Sequence, residues 1–185
     1  KLVDLSINSL NITDGKGTRL IALKMLSDYS KNNGKITLRP ICHSDVDMIY
    51  NWQINPKIRK YFHNPTPPSY DEHCDWLTNS IADPTCYLYM IEHDYCPAGV
   101  LRLNYQVATE KSAEYYLVSV YIAPEHHNNG IGTIAINYAN RLFRESELRA
   151  EIQSDNLASR EMFKKSGYIQ KTGGILFVKT PQHSV

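Results

Sequence analysis

The sequence predicts a mixed α/β domain, α+β in class, built on a mixed sheet with helices on its faces. Periodicity gives the order strand, helix, helix, three strands, helix, strand, helix, strand. Three consecutive strands followed by a strand–helix–strand unit make such a sheet. The 185 residues, 42% apolar and 21% charged, also suffice to bury a full core without disulfides or metal staples. A net charge of +1 exerts no overall pull toward nucleic acid or an acidic membrane. No apolar run approaches the ~18 to 20 residues of a bilayer span, and no basic stretch leads into a signal segment. Cys42, Cys74, Cys86 and Cys96 show no CxxC spacing and read as reduced thiols of a cytoplasmic protein. Thirteen tyrosines suit polar pockets and half-buried strands alike.

Each element has a local cause. In residues 1–34, a turn at 12–17 leads into an amphipathic helix over 18–29, and residues 30–34, polar and ending in Gly34, form a linker. Residues 36–40 are a short strand closed by Pro40. Ser44 and Asp45 cap a helix to about Gln53, and Asn55-Pro56 opens a further turn. Ser69 with Glu72 three residues on is a capping box for a helix over 69–80. Residues 86–91 and 98–105 form a hairpin about a turn at 93–97, and 114–122 is a longer strand rich in Tyr and Val. A helix over 132–144, a strand over 148–154, a helix over 156–165 and a strand over 174–179 complete the chain. Neither repeats nor low-complexity tracts are present.

The segment with most chemistry is Tyr121-Ile122-Ala123-Pro124-Glu125-His126-His127-Asn128-Asn129-Gly130-Ile131-Gly132-Thr133, where a strand breaks at proline and a polar loop opens a helix. Such a junction offers free backbone N–H groups and the positive end of the helix dipole to an anion. Glycine lets a pyrophosphate approach the backbone, although a plain turn also uses two small residues. The segment resembles the pyrophosphate loop Q/R-x-x-G-x-G/A of the GNAT acyltransferases, with His127 where the family has Gln or Arg. Downstream, Asn156-Leu157-Ala158-Ser159-Arg160-Glu161-Met162-Phe163 and then Gly167-Tyr168 resemble the family's N-x-x-A/S-x-x-x-Y/F…G-F/Y stretch. The likeness spans about residues 35–179.

This resemblance implies a GNAT fold with a central, mostly antiparallel sheet and a splayed parallel strand pair, 114–122 and 148–154, that holds acetyl-CoA. It implies coenzyme contacts from His127, Asn128, Asn129, Gly130, Ile131, Gly132 and Thr133, and from Asn156, Ser159 and Phe163. Backbone groups of Val120 and Ile122 would hold the pantetheine arm and polarise the acetyl carbonyl. The acceptor amine attacks directly, so the reaction needs a proton acceptor rather than a nucleophilic side chain. Glu114 and Tyr116, on one face of their strand, and His73 are candidates for that role. The family often uses a tyrosine to protonate the leaving thiolate, and Phe163 stands at that place.

A narrower likeness adds an acceptor. Leu38-Arg39-Pro40, Asp45, the run from Trp52 to Arg59, Glu72-His73-Cys74-Asp75-Trp76-Leu77 and Gly99-Val100-Leu101-Arg102-Leu103 are similar to the pseudaminic acid pathway N-acetyltransferases. Those enzymes act on the 4-amino group of a UDP-linked dideoxy-aminosugar in polysaccharide biosynthesis. Trp52, Tyr61, Phe62, Trp76 and Tyr105 offer flat surfaces for a base, and Arg59 and Arg102 offer charge for its phosphates. Trp52, Arg59, Trp76 and Arg102 are therefore expected to bind the acceptor. Asp14-Gly15-Lys16-Gly17-Thr18-Arg19 is similar to the C-terminal helix of the nucleotide-sugar hydrolase that acts next in that pathway. This implies an appendage at 1–34, the end of an upstream hydrolase domain, and an acetyltransferase domain at 35–185. A helical extension that packs on the sheet is the alternative. Acetylation of protein N-termini or aminoglycosides, and a coenzyme-binding regulatory module, are the competing functions. Adjacent His126 and His127 rarely converge on one ion, so no metal is expected.

Overall fold

A computed structural model describes Leu23 and residues 25–110 and 112–182. The strands are β1 (Asp28–Tyr29), β2 (Lys35–Pro40), β3 (Cys86–His93), β4 (Cys96–Gln106), β5 (Tyr115–Ile122), β6 (Leu148–Glu151), β7 (Ile169–Gln170) and β8 (Leu176–Lys179). The helices are α1 (Val46–Ile54), α2 (Pro56–Arg59), α3 (Tyr70–Ala82), α4 (Ile131–Leu142) and α5 (Leu157–Lys165). The strands form one sheet in the order β1-β2-β3-β4-β5-β6-β8-β7. Every neighbouring pair is antiparallel except β5–β6. Among the described residues, no helix is long and apolar enough to cross a membrane.

Strand alternation separates two apolar layers. On one face, Leu101, Leu103 and Val118 pack with Ala135, Ile136, Tyr138 and Ala139 of α4 and Phe163 of α5. On the other, Leu88, Met90 and Val100 pack with Ile49, Trp52, Ile58 and Leu77 of α1 to α3. Each buried side chain of this size stabilises the fold by roughly 1.5–3 kcal/mol before chain entropy is charged against it. The capping box of α3 forms as expected: Ser69 N–H donates to Glu72 Oε2 at 2.7 Å, and Glu72 N–H to Ser69 Oγ at 3.3 Å. Asn55 caps α2 by accepting from Lys57 N–H at 3.0 Å.

The cleft arises where pairing stops. β5 pairs with β4 along its whole length, from Gln106↔Tyr115 to Gly99↔Ile122. Toward β6 it pairs only at Tyr116↔Leu148 and Leu117↔Arg149. β6 continues with β8, through Ala150↔Phe177 and Glu151↔Leu176, and so parts from β5. A register shift between Ile91 and Glu92 puts a bulge beside the end of β4, which adds local twist. There Gly99 lies so close to β5 that a Cβ would meet Tyr121 O at 2.4 Å. No side chain fits at that position.

Three elements differ from expectation. Asp28–Tyr29 is an edge strand rather than the end of a helix, because it pairs with β2 at Asp28↔Ile36 and Tyr29↔Lys35. Residues 30–34 are a tight turn and not a free linker: Ser30 N–H donates to Gly34 O at 2.8 Å and Gly34 N–H to Ser30 Oγ at 3.1 Å. Residues 1–22, which include the stretch similar to a hydrolase, lie outside the described residues. Finally, β7 is an added strand that pairs Ile169 with Val178, too short to show a periodicity of its own.

Candidate active site

A cavity of about 920 Å³ occupies the gap between β5 and β6 and extends under α2 and the loop after it. Its floor follows from strand geometry. Tyr116 N–H donates toward β6, to Glu147 O, and Ala123 N–H toward β4, to Ala98 O, each at 2.9 Å. By the period of two, Val120 and Ile122 aim their backbone groups toward β6, where the ladder has ended. Both line the cavity.

The polar loop closes one end. A single 3-10 turn, Pro124–His126, leads to His127, whose Nε2 lies 2.9 Å from Ile122 O. A carbonyl only accepts, so Nε2 carries the proton and ties the loop back to β5. Asn128 and Gly130 take left-handed conformations, with φ of 66° and 78°. The first helical bond is Ile134 N–H to Gly130 O at 3.2 Å. The N–H groups of Ile131, Gly132 and Thr133 therefore have no intrahelical acceptor and face the cavity end, where the helix dipole favours an anion. The two glycines do different work. Gly130 supplies the positive φ, whereas a Cβ on Gly132 would meet Met162 Sδ of α5 at 2.5 Å, so Gly132 lets the two helices close together. This cradle fits a pyrophosphate.

Asn156, Ser159 and Phe163 line the same cavity from α5, with Asn156 Oδ1 accepting from Ser159 N–H at 3.2 Å. Asn129 is the member of the loop that turns away. Its carbonyl accepts from Lys31 N–H at 3.1 Å and its Oδ1 from Asn32 Nδ2 at 3.0 Å. Phe163 is only 3% exposed and stacks edge-on against Tyr168, so no hydroxyl stands at that position.

The other half of the cavity is polar and cationic. Arg59, Trp76, Arg102 and Tyr121 line it. Among the described residues, the Nε atoms of Arg59 and Arg102 are buried without a hydrogen-bond partner. Arg59 Nη2 donates to Thr66 O, and its guanidinium lies 5.0 Å from the Phe62 ring centre. Arg102 sits 5.8 Å from the Trp76 ring. Among the described residues neither arginine forms an ion pair. Burial lowers the Arg59 pKa, from a value so high that the group stays charged. Burial pushes the Tyr121 phenol well up, against smaller opposing effects of Gln53 and Arg102, so it is a neutral donor.

Besides Asn129, four expected site residues do not line the cavity. Glu114 is exposed and accepts a hydrogen bond from Tyr105 Oη at the far end of β5. Tyr116 packs in a ring cluster with Tyr105 and Phe143, at 5.4 and 4.7 Å, on the α4 face. His73 is 1% exposed, with Nε2 3.1 Å from Val46 O between α1 and α3. Trp52 is buried behind the wall, with its ring 6.4 Å from that of Tyr121. For Tyr116, His73 and Trp52 the strand or helical register points the side chain into packing, whereas Glu114 stands exposed just ahead of β5. Among the described residues, His63 and Glu151 form an ion pair that faces the cavity, with Nε2 and Oε2 3.2 Å apart. Leu148 and Ala150 are core, so alternation along β6 puts Glu151 on the opposite face, and that much was readable from Leu-Arg-Ala-Glu. His63 lies in a loop with no periodic signal.

A splayed parallel strand pair with an anion cradle beside its open end defines a class: enzymes that bind an acyl-coenzyme in the gap and transfer its acyl group. The sequence profile of the acetyltransferase (GNAT) domain matches residues 35–169, and the chain belongs to that family. It is a GNAT N-acetyltransferase that uses acetyl-CoA. No curated protein matches its sequence. Among solved structures it is similar to RimL, a ribosomal L7/L12 alpha-N-protein acetyltransferase in complex with coenzyme A, with 14% identity over 79% of this chain and 94% of that one (TM-score 0.66). The aminoglycoside acetyltransferase AAC(6')-Ib with ribostamycin and coenzyme A shares 17% identity over 78% and 93% (TM-score 0.69). The Vibrio cholerae spermidine N-acetyltransferase with CoA and spermine shares 21% over 78% and 92% (TM-score 0.64). At these identities the likeness concerns the fold.

Proposed function

We propose that the acceptor is an anionic, nucleotide-linked amino sugar, acetylated on its amine, with the 4-amino group of a UDP-linked dideoxy-aminosugar as the leading case. The observation that carries this reading is the pair Arg59 and Arg102. Two guanidinium groups, each with a buried and unsatisfied Nε, face the acceptor half of the cavity, and among the described residues neither forms an ion pair with a carboxylate. Leaving such groups unpaired is costly, and a diphosphate satisfies them by charge-assisted bonds. A polycation would instead meet like charge. Trp76 and Phe62 offer flat surfaces next to these arginines for a base.

In this reading acetyl-CoA supplies the activated acetyl group. The N–H groups of Ile131, Gly132 and Thr133 hold its pyrophosphate, and backbone groups of Val120 and Ile122 hold the pantetheine arm and the acetyl carbonyl. The acceptor nitrogen forms its bond to the carbonyl carbon as the C–S bond breaks. Its ammonium proton passes to the His63–Glu151 pair, directly or through one water, with Glu151 orienting the imidazole. Phe163 has no proton to give, so the thiolate takes one from solvent.

The test follows thiol release from acetyl-CoA with a UDP-linked 4-amino-4,6-dideoxy sugar, kanamycin, spermine and an N-terminal ribosomal peptide. Turnover confined to the nucleotide-sugar is expected, and Arg59→Gln or Arg102→Gln should raise its KM about tenfold or more, the worth of a charge-assisted bond. Turnover confined to the drug, polyamine or peptide overturns the acceptor assignment. Coenzyme binding without turnover on any acceptor would favour a regulatory module.

A further inference from the structure

The turn between β1 and β2 docks on the pyrophosphate cradle. Lys31 N–H donates to Asn129 O at 3.1 Å, and Asn32 Nδ2 to Asn129 Oδ1 at 3.0 Å. Asn129 lies between the two left-handed residues Asn128 and Gly130, so the turn grips the loop at the centre of its reversal. The Lys31 side chain then runs over Gly130. A Cβ placed on Gly130 would lie 3.7 Å from Lys31 Cγ and 3.9 Å from Cε, and Lys31 lines the cavity. It is exposed and forms no ion pair among the described residues. Its base is held in place, since Ser30 Oγ accepts from Gly34 N–H at 3.1 Å and lies 3.0 Å from His93 Nε2.

We infer that Lys31 binds the coenzyme's pyrophosphate, as a residue contributed by the strand–turn segment ahead of the family's matched stretch, 35–169. The helix N-terminus offers partial positive charge and directed N–H groups. An ammonium above Gly130 adds a full charge on the exposed side of the same phosphates. The hydrogen bonds to Asn129 shape the loop, and the Lys31 side chain supplies the charge. The two roles are separable, because the backbone bond from Lys31 survives replacement of its side chain.

The experiment is calorimetric titration of the full chain with CoA and with 3′-dephospho-CoA, without acceptor. Lys31→Ala should weaken both by about tenfold, as expected for loss of a charge-assisted bond, and Lys31→Arg should restore most of the affinity. Raising the salt concentration should erode the affinity of the wild type more than that of Lys31→Ala. An unchanged Kd in Lys31→Ala overturns the inference. So does a loss confined to CoA, which would place Lys31 on the 3′-phosphate, or an arginine variant no better than alanine. No acceptor enters the assay, so a wrong sugar assignment leaves this result untouched.

Discussion

At the scale of single residues, the chemistry depends on which side chains the cleft admits. Gly130 and Gly132 were legible as the small residues of a loop opening a helix, yet only Gly130 acts through its backbone angle. Gly132 acts through the space it leaves for Met162. The proposed base, His63 with Glu151, was not legible, because Glu114, Tyr116 and His73 have suitable chemistry but do not line the cavity. Glu151 and His63 converge from a strand end and a loop 88 positions apart in sequence, a separation that no local pattern encodes. Glu151→Gln keeps the shape of the side chain and removes its charge. We expect it to lower kcat by about 10²–10⁴-fold, the usual worth of general base catalysis, with little change in KM for acetyl-CoA. Steady-state kinetics across pH would show this, and an unchanged kcat would remove the pair from the mechanism.

At the scale of elements, helices and strands were readable from their ends inward. The α3 capping box and the two faces of β3 follow from residue type and spacing. Some edges were misread for a physical reason: the two-residue strands β1 and β7 exist only because a neighbouring strand pairs with them. Between α1 and α3, His73 has become a packing residue against Tyr50 and Trp76, with ring centres 5.4 and 5.5 Å away. Its Nε2 proton points to Val46 O, and its Nδ1 is buried with no partner among the described residues to receive a second proton's bond. Burial lowers its pKa from 6.5. The neutral ring is thus favoured in the folded state, while the unfolded chain binds the proton below about pH 6.5. Stability is full above that value and declines as pH falls through it toward the folded pKa. Melting temperature measured between pH 8 and 5 should fall in the wild type and fall less in His73→Phe, and parallel curves would exclude His73 as the cause.

At the scale of the whole molecule, one ionic cluster joins the sheet to the helical layer. Arg39 on β2 holds both oxygens of Asp45, at 2.8 and 2.7 Å, and Glu92 of β3 at 2.9 Å. Asp45 also accepts from Cys42 N–H at 2.9 Å. The hydrogen bond from Arg39 is the main reason that the Asp45 pKa lies below 3.8. Its contribution is complete above that value and is lost as pH drops through the folded pKa. Asp45→Asn should cost about 2 kcal/mol, less than a fully buried pair because the Arg39 side chain is 32% exposed. The urea midpoint at pH 7 would report it, and the difference between variant and wild type should shrink in strong acid.

The sequence by itself determined the order of the principal elements and the glycine-bearing loop that opens α4. These rest on periodicity, caps and glycine positions, all of which act within about a dozen residues. Tertiary structure alone decided the cleft, because it depends on β5 and β6 parting after two paired residues while β6 stays paired with β8 along its length. The same holds for the pairing of His63 with Glu151 and for the docking of Lys31 on Asn129. Both are contacts between segments far apart in the chain, and such contacts follow from how layers and strands pack rather than from any local preference.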